Sequence, residues 1–201
     1  MVHLLIAKEM INRNLPIGNH ANFYMGSLAP DAVIIRPNSS RADNKISHLR
    51  LNYRKEKEIE NFDEWTDNAL HFFKHYNEQI DYGIICGYVS HILSDIAARK
   101  KFEYTKDRAV KLHTEFYELD SRLFQILRNE TIIWASLEES SGVDMANLIT
   151  GHEMNQAIHS LYEQYCYRIS NDSFVFKLIN LDQINEFIYK EVDNIGKLLF
   201  E

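Results

Sequence analysis

The chain is poor in the residues that staple or punctuate a fold. Cysteine occurs only as Cys86 and Cys166, far apart and outside any CxxC pair. That excludes a disulfide framework and a thiolate-held zinc site, so any metal must be held by nitrogen and oxygen. Seven Gly and three Pro in 201 residues are too few for a turn-rich sheet protein. They favour long regular elements. No run of about eighteen apolar residues occurs, so no segment reads as a membrane span. The apolar stretch within Met1 to Glu9 is too short for a secretory signal, and the expectation is a chain that starts at Met1 and stays in the cytoplasm. Positive charge is also in deficit, 22 Lys and Arg against 29 Asp and Glu for a formal net charge of -7. This argues against a general nucleic-acid or anionic-membrane surface, and no nucleic-acid partner is expected.

The remaining composition is that of an ordinary globular protein, 45% apolar and 25% charged. The length suits one domain over residues 1–201 with a core of its own. Val2 to Asn14 reads as a short helix, and Pro16, Gly18 and Asn19 as a loop. Asn22 to Asp31 reads as a brief helical turn ended by Pro30, which should push Ala29 out of the helical region. Val33 to Asn44 reads as a loop. Leu49 to Glu60 is charge-rich and reads as a solvated loop or surface helix. Asn61 to Ile80, Asp81 to Arg99 and Glu103 to Arg128 carry apolar residues at three- and four-residue spacing and are expected to be helices. Thr131 to Leu137 is a helix end or packed loop, and Glu138 to Gly142 a polar connection. Asp144 to Arg168 is a further helix, and Asn171 to Phe200 supplies the last helix or helices. The expected product is an all-α, single-domain bundle of six or seven helices.

The central segment is Gly87-Tyr88-Val89-Ser90-His91-Ile92-Leu93-Ser94-Asp95. Residues four apart stack on one helix face, so the row reads as a space, an imidazole and a carboxylate. Beside apolar stripes such a pair is costly to bury unless it is paired, hydrogen-bonded or bound to a cation. A His-Asp pair internal to the bundle and a metal site both satisfy that demand. The further candidates are His3, Asp31, His48 and His113, with Glu115, Glu118 and Asp120 nearby. Zinc accepts neutral imidazole and carboxylate ligands, and manganese, iron and nickel are compatible with the same set. A bridging carboxylate can serve two ions, and bound water then becomes a nucleophile near neutral pH, chemistry suited to phosphate esters. His71 and His75 also have metal-pair spacing, but they share a polar face with Asp67 and Gln79 and read as an exposed pair. His152, Glu153 and His159 lie on another polar face and read as structural.

Three segments in order, Gly26-Ser27-Leu28-Ala29-Pro30-Asp31, Ser47-His48, and Gly87-Tyr88 through His91 to Asp95, resemble the zinc-dependent phospholipase C family. The opening His3-Leu4-Leu5-Ile6-Ala7 resembles that family's N-terminal His-bearing helix. The resemblance covers roughly the first 125 residues. It implies an all-α fold like that of bacterial phospholipase C and the fungal single-strand nucleases. It also implies one metal site of Asp31, His48, His91 and Asp95, with Asp95 bridging to a second that includes His3, and Asp31 as general base. The family's later His, His and Glu set has only His113 and Glu115 as partial substitutes, so one or two zinc ions are expected. The activity implied is hydrolysis of a small phosphate ester. Two other readings stand beside it. One is a helical, metal-dependent nucleotide phosphohydrolase, weakened because no adjacent His-Asp dipeptide occurs. The other is a non-catalytic helical protein that binds metal or a partner.

Overall fold

The helix from Tyr82 to Lys101 is buried almost all round, with every residue from Gly83 to Ser94 and also Ile96 shielded from solvent. A helix without a solvent face must lie at the centre of its bundle. Asp81 caps its start by accepting the Ile84 N–H at 3.1 Å, and Arg99, Lys100 and Lys101 meet the negative end of its dipole. Tyr88, Ile84, Ile85 and Ile92 are fully buried. Each contributes about 1.5–3 kcal/mol of apolar burial.

The computed structural model describes residues 1–50, 61–166, 171 and 173–201. The charged stretch expected as a loop or surface helix lies mostly outside them, at 51–60. The elements are α1 (Val2–Asn12), α2 (His20–Leu28), a 3-10 segment (Ala29–Ile35), α3 (Arg41–Ser47), α4 (Phe62–Tyr76), α5 (Tyr82–Lys101), α6 (Lys106–Leu127), α7 (Thr131–Glu139), α8 (Gly151–Cys166) and α9 (Leu181–Phe200). Among the described residues there is no strand, only an isolated bridge between Met145 and Ile149. No helix there is long and apolar enough to cross a membrane. The all-α expectation therefore holds, with more and shorter helices than the periodicity indicated.

The differences have local causes. The stretch expected to be a loop, Val33 to Asn44, ends in α3, because Ser40 and Asp43 form a reciprocal capping box that starts a helix too short to show a periodic stripe. Ala29 keeps right-handed helical dihedrals, φ -60° and ψ -40°. Pro30 stands at the start of the 3-10 segment, where its missing N–H costs nothing, so the chain tightens instead of opening. Asp31 thus sits in a regular turn. The helix expected from Asp144 begins at Gly151, since Met145 N–H bonds the Ile149 carbonyl at 2.8 Å and closes a loop before it. The last helix begins at Leu181 under a second capping box of Asn180 and Gln183.

Packing is tightest between α2 and α5. A Cβ on Gly87 would overlap the Phe23 carbonyl oxygen and lie 2.6 Å from the Ser27 nitrogen, and one on Gly26 would overlap the Ile84 carbonyl oxygen. The two glycines face each other's helices and let the backbones touch. The gap read from sequence beside His91 is therefore filled by α2. The 3-10 segment is tied down at its far end by Arg36, whose guanidinium reaches Glu153 at 2.7 Å, Asp43 at 3.3 Å and the Leu148 carbonyl at 3.1 Å. That fork joins α3 and α8 to the segment carrying Asp31.

Candidate metal centre

Close contact of α2 with α5 fixes the first candidate ligand. His91 is buried, and its Nδ1 lies 2.8 Å from the Ser27 carbonyl oxygen. A carbonyl only accepts, so Nδ1 carries the proton and Nε2 is left with a bare lone pair. That Nε2 is buried and has no hydrogen-bond partner.

His48 ends α3. Its Nδ1 donates to the Asn44 carbonyl at 2.8 Å, with Ser47 Oγ at 3.0 Å. The flanking backbone is held by Tyr88, whose hydroxyl donates to the Ser47 carbonyl, and by Trp65, whose indole N–H donates to the His48 carbonyl. Its Nε2 points to Asp31 Oδ1 at 3.4 Å and Asp95 Oδ2 at 3.7 Å.

His3 comes from the first turn of α1, and its Nδ1 is 2.9 Å from Ser94 Oγ. The Ser94 hydroxyl proton is already given to the His91 carbonyl at 2.8 Å, so Ser94 accepts and His3 Nδ1 donates. The third Nε2 is thereby freed, 3.6 Å from Asp95 Oδ1. The His3 and His91 rings stack at 3.6 Å and 15°.

All three imidazoles thus have Nδ1 engaged and turn Nε2 toward Asp31 and Asp95. The nitrogen–oxygen separations, 3.4 to 3.9 Å, are too long for good hydrogen bonds. Lone pairs facing carboxylate oxygens repel unless something positive stands between them. Two ligand groups result, His3 with Asp31 and His91, and His48 with His91 and Asp95, the donor atoms of each lying within 4.8 Å of one another. Nitrogen and oxygen donors at that spacing, oriented through Nδ1 by serine and backbone oxygens, fit a small divalent cation such as zinc.

The electrostatics agree. Burial, with help from the neighbouring His91, pulls the His3 imidazole down to about 3, and burial also lowers His91. Both are neutral, as ligands must be. Burial works downward on His48 too, but the Asp31 and Asp95 carboxylates more than offset it and raise this imidazole. Burial works upward on Asp31 and Asp95, yet the surrounding imidazoles hold both carboxyls below the usual range. The Asp31 side chain is 59% exposed, so it meets solvent on one side and ligands on the other.

The remaining sequence candidates separate. His113 is exposed on α6 and lines a neighbouring cavity, but belongs to neither ligand group. Glu115 accepts the backbone N–H groups of Lys177, Leu178 and Ile179 at 2.8 to 3.0 Å, which holds the chain entering α9. Glu118 accepts the Asn171 N–H at 2.8 Å, and Asp120 pairs with the Met1 ammonium at 3.0 Å. His71 and His75 are exposed, 6.4 Å apart. His152 is exposed, Glu153 holds Arg36, and His159 faces Glu163 at 3.4 Å. What the sequence reading missed are the orienting groups Ser27, Asn44 and Ser94 and the props Trp65 and Tyr88. Ser27, Tyr88 and Ser94 stand inside the quoted segments, but nothing in their spacing says which imidazole each one holds.

Beside the cluster is a cavity of about 400 Å³, walled by Leu28, Ile35, Phe116 and Leu161 and bordered by Asp31, Asp95, Arg99 and Tyr104. It is large enough for a small organic molecule. Comparison with family models, with curated proteins and with solved structures found no match.

Proposed function

We propose that the chain is a cytoplasmic, divalent-metal-dependent hydrolase of small phosphate esters, of the zinc-dependent phospholipase C kind. The observation that carries the reading is the convergence of the Nε2 atoms of His3, His48 and His91 on the Asp31 and Asp95 carboxylates, at the wall of a cavity. These five residues would hold one or two zinc ions, or another divalent transition metal. A cation bound there supplies Lewis acidity and brings the pKa of water toward neutrality.

The chain's own residues do the rest. His91 and His3 stay neutral and keep Nε2 directed inward because Ser27 and Ser94 hold their Nδ1 protons. Asp31 is the more exposed of the two carboxylates and borders the cavity, so it is the one placed to act as general base on water there. Leu28, Ile35, Phe116 and Leu161 exclude bulk water from one side of the cavity, which strengthens every charge interaction on the other.

The test is elemental mass spectrometry of the purified protein beside His91→Ala and Asp95→Ala, followed by assay on bis(p-nitrophenyl) phosphate. About one or two equivalents of zinc in wild type, lost from both variants while the helical circular dichroism remains, together with turnover, support the proposal. A folded protein that takes up no metal after zinc is added sinks it. Metal without turnover on a panel of esters moves the reading to a non-catalytic metal-binding protein.

A further inference from the structure

The cavity beside the cluster has an aromatic wall. Phe116 on α6 and Phe187 on α9 both line it, and both pack on the buried Phe102, at 5.5 Å and 83° and at 5.8 Å and 60° between rings. Tyr104, also on the lining, stacks on Phe116 at 6.5 Å. Rings held by other rings present a fixed surface, so a ligand that meets them has little to order. Aliphatic side chains add to this wall: Leu28 ends α2, Ile35 ends the 3-10 segment and Leu161 comes from α8. The Arg36 guanidinium, 2.7 Å from Glu153, ties the residue after Ile35 to α8, so the walls on these two elements keep their spacing.

Of the polar residues on the lining, His3, Asp31 and Asp95 belong to the candidate centre, and Asp120 is paired with the Met1 ammonium at 3.0 Å. Arg99 lies against the Tyr104 ring. His113, Ser160 and Gln164 are exposed, so they stand where the cavity meets solvent. Leu28, Ile35, Phe116, Leu161 and Phe187 offer no hydrogen-bonding side chain. A sugar or a base laid against them loses water from its hydroxyls and amides without replacement, a cost that recurs for each group. A second negative charge on the ligand would lie near the Asp31 and Asp95 carboxylates and be repelled. The volume, about 400 Å³, is toward the low end for sites that take drug-sized ligands. It suits one ring or a short chain, not a pair of long acyl chains.

We propose that this cavity receives the organic part of the phosphate ester, and that this part is a neutral, compact apolar group: a single ring or a short alkyl chain. The assignment rests on the phosphate-ester reading of the adjacent cluster and adds to it what the ester carries. The phosphoryl group meets the centre, and the apolar group displaces water from the aromatic and aliphatic walls.

The experiment is calorimetric titration of methyl-, butyl-, hexyl- and phenylphosphonate, whose carbon–phosphorus bonds resist hydrolysis, into zinc-loaded protein freed of excess metal. Thymidine 5′-phosphate is the polar counterpart. Wild type is compared with Ala157→Leu, which adds bulk to the lining from α8, and zinc content is recorded for both. In wild type, affinity should rise about two- to fourfold per methylene from methyl to hexyl. Phenylphosphonate should bind about tenfold or more tighter than methylphosphonate, and thymidine 5′-phosphate no tighter than methylphosphonate. In Ala157→Leu the ratio of hexyl to methyl affinity should fall about tenfold, with zinc retained. A flat alkyl series, thymidine 5′-phosphate as the tightest ligand, or a ratio that Ala157→Leu leaves unchanged overturns the assignment alone while zinc is retained. Zinc-loaded wild type that binds none of the phosphonates overturns it too. A wild type that holds no zinc sinks the reading beneath it, which the elemental measurement reveals separately. If Ala157→Leu does not fold, Phe116→Leu decides: a several-fold fall in the ratio of phenyl to methyl affinity supports the assignment, and an unchanged ratio overturns it.

Discussion

Exchanging Gly87 for alanine adds one methyl group where α5 touches α2. In an isolated helix the exchange stabilises by about 1 kcal/mol. Here the new Cβ would overlap the Phe23 carbonyl oxygen, lie 2.6 Å from the Ser27 nitrogen and 2.9 Å from the Gly26 carbonyl carbon, all backbone atoms that cannot swing aside. The helices must part by roughly 1 Å, which forfeits a quarter to a half of the dispersion attraction between facing atoms. Phe23, Ile84 and Tyr88 are fully buried in this region, so the net loss is about 3 kcal/mol. Ser27 moves with α2 and loosens its 2.8 Å hold on His91 Nδ1, which should weaken zinc binding by about tenfold or more. Gly196 supplies the control. It lies within α9, and a Cβ there would meet only Leu15 side-chain carbons at 3.5 and 3.8 Å, ordinary contact, so Gly196→Ala should stabilise by about 0.5–1 kcal/mol. Urea unfolding, read beside competition for zinc with a chromophoric chelator, measures both effects. Midpoints that move in the same direction for the two variants, or unchanged zinc affinity in Gly87→Ala, would refute the reasoning.

Removal of metal should cost stability: a cation held at a hundredfold over its Kd contributes about 2.7 kcal/mol, so a chelator should lower the melting temperature by about 5–10 °C. A scan that does not move on chelation counts against the centre. Zinc affinity should fall with acid in a particular way. His3, at about 3, and His91, lowered, offer no proton to compete, whereas His48 is raised by Asp31 and takes up a proton as pH falls through its value above the ordinary one. Below that point affinity should drop about tenfold per pH unit. A drop nearer a thousandfold per unit would mean that all the imidazoles titrate normally. His113→Ala should leave zinc content and stability near wild type, since this residue is exposed and outside both ligand groups, and loss of zinc would place it in the centre after all.

Much of this was legible along the chain. The broad apolar surround of His91 and Asp95 marked α5 as the central helix, and the scarcity of Gly and Pro pointed to an all-helical bundle. His91 and Asp95 stand out because an imidazole and a carboxylate beside apolar stripes need a reason to be there, whereas Asp31, His48 and His3 are picked out only through the ordered segments that resemble a known family. His113 was a partial substitute for the later ligands that the resemblance implies, and it belongs to neither ligand group. Glu115 was offered with it, and the fold spends its carboxylate on three backbone N–H groups, a demand that appears only when the chain before α9 folds back over α6. The short helix α3 was missed because its stability lies in a capping box, not in a periodic stripe.

The sequence by itself determined the helical periodicity, the nitrogen and oxygen character of any metal site, and the side-by-side placement of His91 and Asp95, because these depend on residue type and on spacing along one helix. Only the tertiary structure decided that Gly87 and Gly26 are points of backbone contact, and that Ser27 and Ser94 set which imidazole nitrogen is bare. It alone decided that the cluster sits at the wall of a cavity. The physical reason is that each of these is a relation between separate elements, fixed by how closely helices pack, and a local pattern carries the period of one helix but not its distance to the next.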